Sequence, residues 1–171
     1  MSKVSAGVIA LSKEGKILWV ESAKKGGFPF GSHEPGETII ETAFREAKEE
    51  TGGTFYPYHY SYHGKLQQPH IYINMAGAET YLFPSFVSGN IRKMEDHVSP
   101  IWVDLDHLLL PTNRYPKYNK VIYDLLLDGI DFFFKKKDNS KYSHLNLLMF
   151  WDSVFQVGLK GRENINISLF I

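Results

Sequence analysis

Glu46, Glu49 and Glu50 stand at positions i, i+3 and i+4 of one segment, the spacing that a helix turns onto a single face. The segment carries its own helix signals. Thr38 is a good N-cap and Glu41, three residues on, completes a capping box. Gly52 is a natural stop. Ile39, Ile40, Ala43 and Ala47 give the predicted helix an apolar side, with alanines small enough for close packing. Whatever this chain folds into must cover that side and tolerate three like charges beside it. Like charges at this spacing repel, and burying them costs more. A divalent cation removes both penalties. Hard carboxylate oxygens suit magnesium or manganese, which keep some water and share ligands with substrate phosphates. The plain alternative is a solvated acidic face, the usual meaning of a charge run.

The flanking residues weigh against that alternative. Arg45 lies four residues after Glu41 and eight after Glu37, within reach of either carboxylate. Gly31 and Gly36 lie in a glycine- and proline-rich loop over residues 24–37, able to bend closely around the helix start.

Strand patterns surround this unit. Residues 4–11 and 16–21 read as strands joined at Lys13-Glu14-Gly15, residues 70–75 and 79–87 as paired strands, and residues 101–105 as another. Residues 55–63 alternate, which puts Tyr56, Tyr58, Tyr60 and Tyr62 on one face of a strand. A helix is expected over 118–127. Strands and helices are interspersed, so the fold class is α/β. From Gly129 the character changes: Phe132-Phe133-Phe134 abuts Lys135-Lys136-Lys137. Residues 143–157 then read as a helix with Leu145, Leu148, Trp151 and Phe155 on one stripe, and residues 164–171 as a short strand. The expected division is a domain over 1–129 and an extension over 130–171, packed on the core or on a partner subunit; a homodimer is one outcome.

Composition excludes several classes. Hydrophobic residues make up 43% of the 171 residues and charged residues 22%, ordinary for a globular protein. Lys plus Arg equal Asp plus Glu at 19 each, so no general nucleic-acid binding is expected. There is no cysteine, which removes disulfides, thiolate metal sites and cysteine nucleophiles. No apolar run approaches the roughly 20 residues of a membrane helix, and residues 1–7 lack the apolar region of a signal peptide. A cytoplasmic protein without membrane contact is the expectation.

The segment resembles the Nudix box. That pattern is Gly, five residues, Glu, seven residues, Arg-Glu, an aliphatic residue, any residue, Glu-Glu, any residue, Gly and an aliphatic residue. It falls here on Gly31, Glu37, Arg45-Glu46, Ala47, Glu49-Glu50 and Gly52. The departure is Gly53, where an aliphatic residue is usual, and looser packing after the helix is expected there. The resemblance implies an α/β/α sandwich with a mixed sheet and, in this chain, a C-terminal helical extension. It implies a hydrolase that cuts a diphosphate bond in a nucleoside diphosphate linked to another group, with water attacking phosphorus. Glu46, Glu49 and Glu50, with the Gly31 carbonyl, would bind Mg2+ or Mn2+. Arg45 would orient the glutamates and Glu37 would brace Arg45. The general base is left open between a box glutamate and the loop Glu95-Asp96-His97. A non-catalytic nucleotide sensor is the rival reading, but such domains lose box glutamates and this chain keeps them.

The expected substrate is a small nucleotide-type molecule, and the clues to its identity diverge. Phe28-Pro29-Phe30-Gly31 and Glu34-Pro35-Gly36-Glu37 look like the approach to the box in dinucleoside polyphosphate hydrolases and mRNA-decapping relatives. Those often carry lysine where Phe30 sits. Pro69 resembles a marker of ADP-ribose pyrophosphatases, and His70 and Tyr72 are the nearest candidates for a tyrosine that marks the dinucleoside polyphosphate enzymes. Phe28, Tyr56, Tyr58 and Asp96 are the expected substrate contacts, the tyrosines as stacking surfaces for a base.

Overall fold

A computed structural model of the chain describes residues 3–12, 14–22, 25–62, 64–75, 77–136, 151 and 168–170. The elements run in the order β1 (Lys3–Ala10), β2 (Ile17–Ser22), β3 (Phe30–Ser32), α1 (Ile39–Thr51), β4 (Thr54–Pro57), β5 (Tyr60–Tyr62), β6 (Lys65–Gln67), β7 (Ile71–Met75), β8 (Ala78–Ser88) and β9 (Val98–Val103). A 3-10 turn at Leu105–Leu109 leads to α2 (Pro116–Lys136), and β10 (Ser168–Phe170) follows. The main sheet has the order β10-β7-β8-β1-β3, with β4 also on β8. It is mixed: β1 runs parallel to β8 with Gly7 opposite Leu82, while β3 pairs antiparallel with β1, and β4 and β7 pair antiparallel with β8. β2 and β9 form a separate antiparallel pair.

The period of two in β1 decides which helix covers which face. Ala6, Val8 and Ala10 are buried with Ala43 and Ala47 of α1. Ile9, between them in sequence, points to the opposite face and is buried with Tyr118, Ile122, Leu125 and Leu126 of α2. Leu82 and Phe83 of β8 divide in the same way. Two apolar layers on two sides of one sheet make the helix–sheet–helix sandwich that the sequence led us to expect.

α1 starts and stops as the sequence dictates. Thr38 Oγ1 accepts from the Glu41 amide, Glu41 Oε1 accepts from the Thr38 amide, and Gly52 takes the left-handed conformation at φ 75°. The looser packing expected at Gly53 does not arise. A Cβ there would stand 2.8 Å from Val87 Cγ2, so the aliphatic side chain missing from the box is replaced by one from β8.

Two expectations need correction. Residues 55–63 are not one strand. β4 ends at Pro57, which has no N–H to continue a ladder, and β5 pairs with β6 instead. The tyrosines therefore do not share a face: Tyr56 is 53% exposed and Tyr58 1%. The helix expected over 118–127 runs on to Lys136 and crosses position 129. Trp151, 1% exposed, packs in the α2-side core with its ring 6.3 Å from that of Tyr58. Strand β10 lies within the strand expected over 164–171 and pairs parallel with β7. The helix expected over 143–157 lies outside the described residues, apart from Trp151, which is helical.

Candidate active site

Arg45 is the hub of the loop–helix unit. Its Nε donates to Glu37 Oε2 at 2.6 Å and its Nη2 to Glu37 Oε1 at 3.1 Å, a two-pronged grip that a planar guanidinium can make and an ammonium cannot. Nη2 also donates to the Ser32 carbonyl at 3.0 Å, tying the helix to β3. Nη1 donates to Glu46 Oε1 at 3.0 Å and to Glu49 Oε1 at 3.2 Å. The hydrogen bonds from Arg45, helped by the Thr42 hydroxyl against a desolvation cost, bring Glu37 down to a pKa of about 2. Glu37 is thus a fixed anion that holds Arg45, and Arg45 in turn holds Glu46 and Glu49.

The two innermost carboxylates behave in the opposite way. Burial raises the pKa of Glu46, against the pull of Arg45. Burial, reinforced by the charges of Glu46 and Glu95, pushes Glu50 up to about 8, while Arg114 and the Phe30 backbone amide pull it partly back. Glu46 is pressed against the backbone: a Cβ on Gly31 would stand 2.1 Å from its carboxyl carbon, so any side chain at this point of β3 would displace the Glu46 carboxylate.

Glu46 and Glu50 open onto a cleft of about 480 Å³. Glu95 and His97 line it from the loop before β9, Phe28 and Phe30 from the loop around β3, and Lys25 and Arg114 add positive charge. Arg114 is held there by its backbone, its amide donating to the Gly26 carbonyl at 2.8 Å and its carbonyl accepting from Asn119 Nδ2 at 2.7 Å.

A divalent cation fits this donor set. Carboxylates that resist ionisation because they are drawn out of water, with further negative charge beside them, are the complement of a missing positive charge. The cradle at Gly31 puts backbone beside Glu46. Among the described residues no three His, Asp or Glu side chains converge to hold an ion alone. That suits a cation bound through one or two carboxylates and completed by water and substrate oxygens. Glu49, with its side chain 52% exposed and bonded to Arg45, does not line the cleft.

The sequence model of the NUDIX domain matches residues 1–125. The chain belongs to the NUDIX family. A pyrophosphohydrolase is the enzyme class in which this places it. Among solved structures, it is similar to a NUDIX hydrolase from Nitrosomonas europaea at 25% identity and TM-score 0.55, over 72% of this chain and 88% of that one. The fold is shared with an ADP-ribose pyrophosphatase from Streptococcus suis (15% identity, TM-score 0.54, 89% of this chain and 92% of that one). It is shared too with a C. elegans Ap4A hydrolase (17% identity, TM-score 0.51, 74% and 98%). No curated protein matches the chain.

The Nudix glutamates do not act as one face. Glu46 and Glu50 line the cleft, while Glu49 is hydrogen-bonded to Arg45 outside its lining. Of the expected substrate contacts, Phe28 lines the cleft. Tyr58 is in the core against Phe86 and Trp151, and Tyr56 is exposed outside the cleft lining. Asp96 is exposed while its neighbours Glu95 and His97 line the cleft. Lys25 and Arg114 were not foreseen. Each sits in a loop with no periodicity, and the Gly26–Arg114 backbone bond, between residues distant in sequence, helps bring them together.

Proposed function

We propose that this enzyme hydrolyses the diphosphate linkage of a nucleoside diphosphate joined to a second group, with a divalent cation, Mg2+ or Mn2+, held by Glu46 and Glu50 and completed at Gly31. The observation that carries the reading is one cleft lined both by the half-buried carboxylates of Glu46 and Glu50 and by the positive charges of Lys25 and Arg114. Such a cleft takes an anion through a cation held by the carboxylates and through its own basic side chains. When bound, the cation would neutralise diphosphate charge and acidify a water. The chain's own groups do the rest. Arg45 keeps Glu46 and Glu49 in place. Lys25 and Arg114 supply positive charge to the phosphoryl oxygens. Glu95, which lines the cleft from the loop before β9, is a carboxylate able to take the proton of an attacking water, and its position favours it over a box glutamate as the general base. Without a cysteine the chain forms no thiol adduct, and direct attack by water on phosphorus needs none. The substrate is a small molecule. Among the described residues no helix is long and apolar enough to cross a membrane.

The test is a product assay across nucleotide sugars, dinucleoside polyphosphates, ADP-ribose, nucleoside triphosphates and capped RNA, with Mg2+, with Mn2+ and with chelator. Metal-dependent release of a nucleoside monophosphate from one class is expected. Turnover that survives chelator would overturn the proposal.

A further inference from the structure

Beyond Arg45, the hydrogen bonds of the loop–helix unit run on through a threonine. Thr42 is 0% exposed, on the buried side of α1 with Ala43 and Ala47. Valine has the same branching and no polar atom to satisfy, so packing alone does not call for a hydroxyl there. The hydroxyl meets three polar groups. Its oxygen lies 2.9 Å from Glu37 Oε1, 3.2 Å from the Thr38 carbonyl and 2.7 Å from His33 Nδ1. A threonine has one proton to give. Glu37, with its pKa at about 2, is an anion, and the Thr38 carbonyl has no proton, so both only accept. Were the proton given to His33, two acceptor oxygens would face the threonine oxygen with no hydrogen between them. The ring nitrogen is therefore the donor. His33 carries hydrogen on Nδ1, and Thr42 accepts that bond and donates its own proton toward Glu37, the nearer of the two oxygens.

We propose that His33 and Thr42 are positioning residues for the metal-binding site: they fix the Glu37 carboxylate, and through it the Arg45 fork that holds Glu46. The inference rests on the hydrolase reading above for what that site does. The bonds close into a ring. The His33 amide donates to the Val4 carbonyl at 2.9 Å, which anchors it on β1. Ser32, its neighbour, accepts from Arg45 Nη2 at 3.0 Å, and Arg45 grips Glu37, which accepts from Thr42. The end of β3, the loop after it and α1 are thus joined through side chains. Glu37 Oε1 takes bonds from Thr42, from Arg45 and, at 3.0 Å, from the Glu34 amide, while Oε2 faces Arg45 Nε. The last torsion of a glutamate is broad, so its carboxylate plane is set by such partners. If the Thr42 bond is lost, that plane is freer to turn, and the Arg45 fork turns with it. Neither His33 nor Thr42 lines the cleft, so both act on it through Arg45.

The experiment uses the full chain. Long-range 1H–15N correlation spectra of 15N-labelled protein at pH 9 read the neutral imidazole rings, and the His33 signals are assigned by their loss in His33→Asn. Wild type is expected to show hydrogen on His33 Nδ1; hydrogen on Nε2 alone would overturn the inference. Thr42→Val is expected to lower kcat about tenfold and to raise the Mg2+ concentration at half-maximal rate about tenfold, the size of a lost bond behind a metal ligand. KM and the melting temperature in EDTA should hold. Thr42→Ser keeps the hydroxyl, and His33→Asn keeps an N–H near the place of Nδ1, so both should keep the wild-type values. His33→Leu should shift them in the direction of Thr42→Val. Wild-type kcat and Mg2+ dependence in both Thr42→Val and His33→Leu would overturn the inference. So would Thr42→Ser as impaired as Thr42→Val with a lowered melting temperature, the mark of a packing role. Should Thr42→Val not fold, His33→Leu beside His33→Asn decides on the same readings. Melting in a Mg2+ titration separates this inference from the hydrolase reading. In a wild type that cuts no diphosphate, Mg2+ stabilisation weakened in Thr42→Val and His33→Leu supports the inference, and stabilisation equal to wild type in both contradicts it.

Discussion

In metal-free protein, Glu50→Gln should stabilise the fold, and by an amount that depends on pH. The carboxyl titrates at about 8 in the fold, for burial first and for the charges of Glu46 and Glu95 second, against 4.5 outside it. A group whose folded pKa is raised leaves the fold at full stability below the unfolded value and withdraws stability as pH climbs toward the folded one. At pH 7 the metal-free fold stands about 2.5 pH units above the lower value, and at about 1.36 kcal/mol per unit it gives up on the order of 3 kcal/mol. Glutamine keeps the shape, still accepts from the Phe30 amide and carries no charge. For a domain of this size each kcal/mol is worth roughly 2–4 °C, so melting in EDTA at pH 7 should rise by several degrees. The gain should shrink toward pH 5, and magnesium should stabilise the wild type but not the variant. A gain that is the same at pH 5 and pH 8, or a variant less stable than wild type in EDTA at pH 7, would refute the reasoning.

Four further outcomes are expected. Gly31→Ala should remove most turnover with little change in melting temperature in EDTA, since its Cβ would displace the flexible end of Glu46; steady-state rates beside a melt check it. Arg45→Lys should cost about 10–100-fold in kcat because an ammonium cannot hold Glu37, Glu46, Glu49 and the Ser32 carbonyl together, and kinetics with a magnesium titration would measure the loss. His70 lies between the rings of Tyr81 and Phe83, where burial lowers its pKa below the ordinary 6.5 despite the Gln68 backbone. Its neutral form is the one that fits, so stability should be full above pH 6.5 and fall as the pH drops below it; His70→Phe should flatten that part of the stability profile in urea melts. Trp151→Ala should cost about 3–5 kcal/mol, and a chain ending at 129, inside α2, should fail to fold cooperatively by circular dichroism.

The parts of the fold set by short-range rules were legible. Thr38, Glu41 and Gly52 bound α1 through contacts within four residues, and the alternation along β1 sorts Val8 from Ile9 whatever the partners are. The site divides along the same line. Arg45, Glu46 and Glu50 belong to one helix, and their spacing nearly decides their roles, but Glu49 is drawn to Arg45 and away from the cleft by a side-chain choice that spacing does not encode. The tyrosine stripe misled because alternation continues through Pro57 in sequence while the ladder ends there. Lys25 and Arg114 reach the site through loop closure between residues far apart in the chain, for which local pattern carries no signal.

The most direct test of the central claim is hydrolysis in 18O-labelled water, comparing wild type with Glu46→Gln and Glu50→Gln on whichever diphosphate compound the wild type cuts in magnesium. The account predicts one 18O atom in one phosphate product of the wild type, and turnover largely lost in both variants and in chelator. Label found in a product other than a phosphate, or either variant at full activity, would contradict it.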